Sequence, residues 1–322
     1  MAIKEYTLKE VKEKADEYIK IRESNNENTA TAYKNSLEYF IHYLENIIGV
    51  KRIGTKSIIL LLEGFQGALI NGFEYNNREI QSSPSSTNTH IRRVKTFLKK
   101  CLGLTASEVK QITIKNKTKY KALPTEHIKL MLDECSNKFK NEETAVRNRC
   151  LIKFMFNTAF RVSEALSLTT DNLYGNDEVC YVRVHEKGTE KNALSDPIEI
   201  SKSDYDDLQY YISIKKTPSE FVFSTRTGKA LSRQYFNRDV KLLGAFVDEK
   251  HGTNISEVLE NNSSHVFRHS KGRALLKEDK VDIMDTKSFL RHSAITSTQI
   301  YLESDEDEVN KLRRNSILEW ID

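Results

Sequence analysis

The chain has 322 residues, 38% hydrophobic and 30% charged, with 50 Lys and Arg against 46 Asp and Glu for a formal net charge of +4. That length accommodates two domains, each with its own core, and no apolar run approaches the roughly 18–20 residues that cross a bilayer, so no membrane-spanning helix and no membrane partner are expected. The opening Met-Ala-Ile-Lys-Glu-Tyr lacks the apolar stretch of a secretory signal, and the four scattered cysteines, without a C-x-x-C pair, suit free thiols in a reducing cytoplasm.

In chain order, Leu8, Val11, Ala15, Tyr18 and Ile19 recur at helical spacing, as do Tyr33, Leu37, Phe40, Ile41 and Leu44, with Thr29 or Thr31 as a cap for the second helix. Gln81–Ser86, around Pro84, reads as a loop. A basic amphipathic helix follows. Ile91, Val94, Leu98 and Leu102 form its apolar face, Arg92, Arg93, Lys95, Lys99 and Lys100 decorate the rest, and Gly103 stops it. Residues 110–121 carry five lysines and no acid, the composition of an exposed interdomain linker. Thr125, after Pro124, is expected to cap a helix bearing Ile128, Met131, Leu132 and Cys135. Glu178–His185 alternates like a strand, Pro197–Ile200 reads as its return, and Lys187 falls at the hairpin tip between them. The rest of this half, short Phe221–Ser224 apart, reads as helices.

The boundaries that follow are a helical domain at 1–112, a Lys-rich linker at 113–123 and a second domain at 124–322. The second domain ends in a tail helix at about 305–322, where Val309, Leu312, Ser316, Ile317 and Trp320 share a face. Residues 1–123 hold 21 Lys and Arg against 13 Asp and Glu, a difference of +8, and the remainder holds 29 against 33, a difference of −4. A basic front half suits a polyanion, but a solvated lysine surface explains the same count.

Chemistry enters through order and spacing. His265, Arg268, His292 and Tyr301 follow one another at steps of three, 24 and nine residues, with Arg161 and Lys187 upstream. Cutting a phosphodiester with a protein nucleophile needs an aligned nucleophile, neutralised non-bridging oxygens, a base and an acid. Arginine suits the second task through its planar, permanently charged fork. Histidines exchange protons near neutrality, and a tyrosine, with a pKa near 10, needs such neighbours to react. Singly, each residue has an ordinary structural explanation; in this order the set is a candidate strand-cutting site. His265 and His269 also stand at the i, i+4 spacing of a zinc pair, but H-V-F-R-H lacks the glutamate of a zincin and a third ligand, so no metal is expected.

These motifs resemble those of the tyrosine recombinases, or phage integrases. T-A-F-R-V-S-E-A-L-S-L at 158–168 is similar to the family's first arginine helix, H-E-K-G-T-E-K to its hairpin lysine, H-V-F-R to its H-x-x-R box, and L-R-H-S-A-I-T-S-T-Q-I-Y to its histidine and tyrosine segment. The resemblance is strong over about 124–302 and weaker over 1–112. Ala159 and Arg291 stand where the family has glycine. Ala159 reads as a tolerable change in a helix, and Arg291 as pointing into solvent or adding a phosphate contact.

The resemblance implies a mainly α fold with a small antiparallel β-sheet, comprising a helical SAM-like DNA-binding domain and a catalytic domain that close on DNA as a C-shaped clamp. It implies attack by Tyr301 to give a 3′-phosphotyrosyl link, with Arg161, Arg268 and His292 on the transition state, His265 as base and Lys187 as acid. Arg92, Arg93 and Lys95 are candidate DNA contacts, and Lys115, Lys117, Lys119 and Lys121 candidate phosphate contacts. No cofactor is expected. The expected partner is a duplex recombination site, held by a homotetramer on synapsed DNA that is a monomer or weak dimer when free, with an accessory DNA-bending or directionality factor. Integration or excision of a mobile element is the leading reading. A chromosome or plasmid dimer resolvase of a bacterial cytoplasm comes next, followed by a relaxing topoisomerase and a non-catalytic regulator.

Overall fold

The computed structural model describes residues 4–25, 27–113, 122–176, 178–185, 194–260, 265–299 and 301. Most of the linker lysines, the hairpin tip with Lys187 and the tail with Trp320 therefore lie outside the described residues. The chain divides into two compact units, residues 1–118 and 119–322.

In the first unit, helices α1 (Leu8–Asn25), α2 (Glu27–His42), α3 (Ile58–Asn71) and α4 (Pro84–Phe97) surround one apolar core. The anticipated stripe on α1 is buried, from Leu8 and Val11 to Tyr18 and Ile19, and packs with Leu37, Phe40, Phe65, Ile91 and Phe97. Two short antiparallel strand pairs join this bundle, which the sequence had presented as wholly helical. Strand β1 (Glu5–Thr7) pairs with β2 (Arg52–Gly54), which lies beyond α1 and α2, and β3 (Phe73–Tyr75) forms a hairpin with β4 (Arg78–Ile80). That hairpin turns on Asn76 and Asn77, both left-handed at φ 50° and 58°, a conformation asparagine tolerates better than most residues.

Two expectations about caps are corrected. Helix α2 begins at Glu27, so Thr29 and Thr31 lie within it, and the Thr31 hydroxyl donates back to the Glu27 carbonyl at 3.0 Å. Pro84 opens α4 rather than sitting in a loop, because Ser83 caps the helix by accepting from the Ser86 N–H at 3.3 Å and a proline in the first turn lacks only an N–H with no helical partner. Helix α4 continues through a wider turn to Leu102 and stops at Gly103, left-handed at φ 60°.

The second unit is built on α5 (Thr125–Lys138) and α6 (Glu142–Thr158). Thr125 is the first helical residue and not the cap; its hydroxyl donates to Glu278 at 2.6 Å. A three-stranded antiparallel sheet runs in the order β5 (Leu173–Gly175), β6 (Cys180–Val182), β7 (Ile198–Ile200). The last pairing before the hairpin tip is the His185–Leu194 bridge. Helices α7 (Val162–Leu166), α8 (Lys202–Ile214), α9 (Arg233–His251), α10 (Ile255–Leu259), α11 (Val266–Arg273), α12 (Ile283–Phe289) and α13 (Thr296–Gln299) complete the unit. The aromatic side chains of Phe154, Phe160, Tyr211, Phe223, Phe236 and Phe267 fill its core. Among the described residues no helix is long and apolar enough to cross a membrane.

Candidate active site

Five of the six candidate catalytic residues are described, and they gather where α6, α7, α11, α12 and α13 meet. Helix α6 ends at Ala159, which is buried and left-handed at φ 52°. It is thus a helix-terminating corner, and not the mid-helix substitution expected. The corner turns Arg161 onto the head of α7, where the Arg161 N–H donates to Glu164 Oε2 at 2.8 Å and its guanidinium to Oε1 at 2.7 Å.

Glu164 is 1% exposed and takes a second guanidinium, Arg291 Nη2 to Oε2 at 2.6 Å. Burial pushes the Glu164 carboxyl up, but the Arg291 charge and the hydrogen bonds from Arg161 hold it below its ordinary value, so it stays ionised. Arg291 is itself left-handed, at φ 53°, and its guanidinium lies 4.5 Å from the centre of the Phe160 ring. The expectation that Arg291 faces solvent or a phosphate is therefore corrected: a buried carboxylate and an aromatic face hold it inward.

Arg268, from α11, is 3% exposed and donates Nη1 to the Ala159 carbonyl at 2.6 Å and Nη2 to the Leu290 carbonyl. One side chain thus fastens both tight corners, at Ala159 and immediately before Arg291. Burial, then the Arg161 charge, pushes Arg268 down to about 10, which leaves it cationic at neutral pH.

His292 accepts from or donates to Thr298 Oγ1 through Nδ1 at 2.9 Å. The Thr298 carbonyl also receives the Tyr301 N–H at 3.0 Å, so one buried threonine orients both residues. Burial, then Arg268 and Arg161, pushes His292 down to about 4. Tyr301 is 5% exposed; its ring lies nearly parallel to that of His292, 6.3 Å between centres, and close enough to Gly272 that a Cβ there would meet Tyr301 Cε2 at 2.8 Å.

The phenol is hydrogen-bonded to His269, Nδ1 to Oη 3.0 Å, and the His265 ring stacks on His269 with 5.9 Å between centres. Burial, then the charges of His265, Arg268 and His292, pushes His269 down to about 3, so its ring is neutral near pH 7 and can accept the phenolic proton's hydrogen bond. Spacing did not single out Glu164, and it raised His269 only as half of a zinc pair with His265. The signals were present, an acid three residues after Arg161 and a histidine one residue after Arg268, but each is equally at home as an ordinary helix residue.

The candidate DNA contacts are less uniform. On α4, Arg92 is exposed, Arg93 reaches Ser36 Oγ at 3.4 Å, and Lys95 donates to the Val109 carbonyl at 2.6 Å. Lys115, Lys117, Lys119 and Lys121 lie outside the described residues, as does Lys187.

The profile of the phage integrase family matches residues 121–308, more than half of the chain. The chain belongs to the phage integrase family. Tyrosine recombinases XerC from Rickettsia canadensis and Rickettsia bellii (strain OSU 85-389) are each 24% identical to it, over 92% and 90% of this chain and 93% and 91% of their own. Among solved structures, the XerH site-specific recombinase bound to a palindromic difH substrate gives a TM-score of 0.65 at 16% identity, covering 92% of this chain and 82% of that one. The Tn1549 transposon integrase in complex with transposon right end DNA gives 0.67 at 16% identity, covering 96% and 99%. The family member described here is a tyrosine-type site-specific recombinase, and its fold is the mainly helical one the motifs led us to expect.

Proposed function

We propose that this recombinase cuts and rejoins a specific duplex through Tyr301, and that its cellular task is to resolve chromosome or plasmid dimers. The observation that supports the chemistry best is the setting of the Tyr301 phenol: parallel to the His292 ring and 3.0 Å from the neutral imidazole of His269, which α11 carries beside Arg268. In the proposed step Oη attacks the scissile phosphorus, the bond to the 5′-oxygen breaks, and its electron pair leaves on that oxygen, which Lys187 protonates. Arg161, Arg268 and His292 neutralise the phosphoryl oxygens. His269 orients the phenol, but a ring with a pKa of about 3 keeps a proton poorly, and the base is His265, as the family resemblance implies, one turn earlier at the head of α11. The phosphotyrosyl bond conserves the energy for religation, so the cycle draws on no nucleotide.

The end-to-end match to XerC recombinases favours resolution over mobile-element transfer, the reading that the motifs alone put first. In this proposal residues 1–112 and the lysines of the 113–123 linker hold duplex DNA, and residues 124–322 perform the chemistry. Four copies act on two synapsed sites, aided by a bending or directionality factor, in a bacterial cytoplasm close to the nucleoid.

The decisive experiment is incubation with a nicked suicide substrate, read on a denaturing gel. The native protein should give a covalent protein–DNA band and Tyr301→Phe none, with binding to the same DNA retained. A band surviving in the variant sinks the assignment of Tyr301, and its absence from both proteins favours the non-catalytic regulator. For the cellular task, deleting the gene should give division-blocked filaments that disappear when homologous recombination is disabled. Normal division together with loss of an excised circle would restore the mobile-element reading.

A further inference from the structure

We propose that Arg291 is a positioning residue for strand cleavage: it neutralises the buried Glu164 carboxylate so that Arg161, bound to the same carboxylate, keeps its charge available for the scissile phosphate. The inference rests on the recombinase reading above and extends it to a residue outside the six-residue catalytic set.

The geometry carries the argument. Glu164 offers two oxygens, and each receives a different guanidinium, Arg161 on Oε1 at 2.7 Å and Arg291 on Oε2 at 2.6 Å. The carboxylate is 1% exposed, so water does little to screen it. With Arg161 as its sole partner, the negative charge would cancel most of the field Arg161 could present to a phosphate. A second, partly buried cation leaves the trio with a net positive charge, and the Arg161 side chain, 30% exposed against 20% for Arg291, is its most exposed member. The Arg291 guanidinium also lies over the Phe160 ring, 4.5 Å from its centre, a second contact that restricts its direction.

The backbone points the same way. Arg291 is left-handed at φ 53°, a conformation that costs any residue with a Cβ more than it costs glycine. Arginine at this corner is explained if the side chain offsets that strain, and the short bond to Glu164 does so. Because His292 is the next residue, the same bond ties the histidine corner to the head of α7.

The test uses the full chain and the nicked suicide substrate, with half-site affinity measured separately. At saturating DNA, Arg291→Gln should cleave about tenfold more slowly with affinity within about twofold of the native protein. Arg291→Lys should recover part of the rate, since it keeps the charge and loses the planar fork. The telling variant is the double E164Q/R291Q, which should cleave faster than R291Q alone, because a neutral amide no longer competes for Arg161. A merely structural role predicts the reverse, since the double change disturbs the core further. Native-like cleavage by R291Q, a loss confined to affinity and its salt dependence, or a double variant no faster than the single one, would each overturn the proposal. A DNA-free measurement separates this proposal from the recombinase reading. The charged groups around Glu164 are Arg161 on α7, Arg291 after α12 and Arg268 on α11. Removing the Arg291 charge should raise the Glu164 pKa and move the acid-unfolding midpoint to higher pH; an unmoved midpoint refutes the pairing whatever the gel shows.

Discussion

The candidate cations of the two units differ in the partners they already hold. On α4 of the first unit Arg92 is exposed, while Arg93 and Lys95 lean back on Ser36 and on the Val109 carbonyl. In the second unit Arg268 is buried and donates to two backbone carbonyls, and Arg161 and Arg291 share one buried carboxylate. An exposed arginine loses little on solvation and can follow a phosphate backbone, which suits affinity. A buried one has paid its desolvation during folding and cannot move far, which suits a fixed transition state. Cation count therefore says less about role than the partner each cation already has.

The strongest test of this contrast is Arg268→Gln. The amide cannot reach both carbonyls, so the corners at Ala159 and Leu290 lose donors and keep buried acceptors, at a cost of about 2–4 kcal/mol. Cleavage should fall by about three orders of magnitude, as expected for losing a fixed donor to a phosphoryl oxygen. Urea unfolding and the suicide-substrate assay check the two parts. A variant with native stability would show that Arg268 is not the fastener of those corners.

A second test uses pH. His269 and His292 are pushed down to about 3 and about 4 from an ordinary value of 6.5. Below about pH 6.5 the unfolded chain therefore binds protons that the folded one refuses, so stability rises with pH through this window and is lost as pH falls from about 6.5 toward 4. Each histidine contributes at most about 1.4 kcal/mol per pH unit. Carboxylates held low, such as Glu164, add a loss of the same sign at lower pH. Urea titrations at pH 7, 6, 5 and 4 should show a shallower slope for His269→Gln than for the native protein. Parallel slopes would mean that the His269 ring is as hydrated as a surface histidine.

On α4 the contrast predicts two different phenotypes from neighbouring cations. Arg92→Gln should lower affinity for all duplexes and reduce the salt slope by about one unit, at unchanged stability. Lys95→Gln should cost about 1 kcal/mol of stability through the lost bond to Val109, because burial already pushes that ammonium down. Fluorescence anisotropy over a salt series, beside urea unfolding, separates them; a lost slope unit for both would erase the distinction.

What could be read in advance follows the range of the interactions involved. The candidate catalytic set could be proposed because H-x-x-R and the T-x-x-Y segment are local, and the amphipathic stripes of α1 and α4 were legible for the same reason. The pairing of β1 with β2 was not, since Tyr6 faces Ile53, 47 positions further on, and three-residue strands carry no alternation to detect. Glu164 and His269 were illegible for another reason. Their meaning lies in partners that arrive from elsewhere in the chain, Arg291 and Tyr301. Backbone sign was hidden as well: nothing in T-A-F-R shows that Ala159 is left-handed, and it read as a tolerable change in a helix.

That position gives the finest test, because several small terms nearly cancel. Ala159→Gly removes the left-handed penalty of a Cβ, about 1–2 kcal/mol in favour of the variant. It also removes a methyl group from the cluster with Leu290 and Tyr301, where Ala159 is fully buried, which costs about 0.8 kcal/mol. The freer unfolded chain costs a further 0.4–1 kcal/mol or so. The sum lies within about 1 kcal/mol of zero, so stability should barely move. Arg268 still holds the residue 159 carbonyl, which any residue supplies, so the corner itself should persist. What changes is the packing under Tyr301, and cleavage should slow by about twofold to threefold at unchanged affinity. A stabilisation above about 2 kcal/mol would mean that the Ala159 methyl contributes nothing to that cluster and that backbone strain dominates the corner. A loss of more than about 2 kcal/mol would mean that the methyl, rather than the Arg268 bond, holds the corner in place.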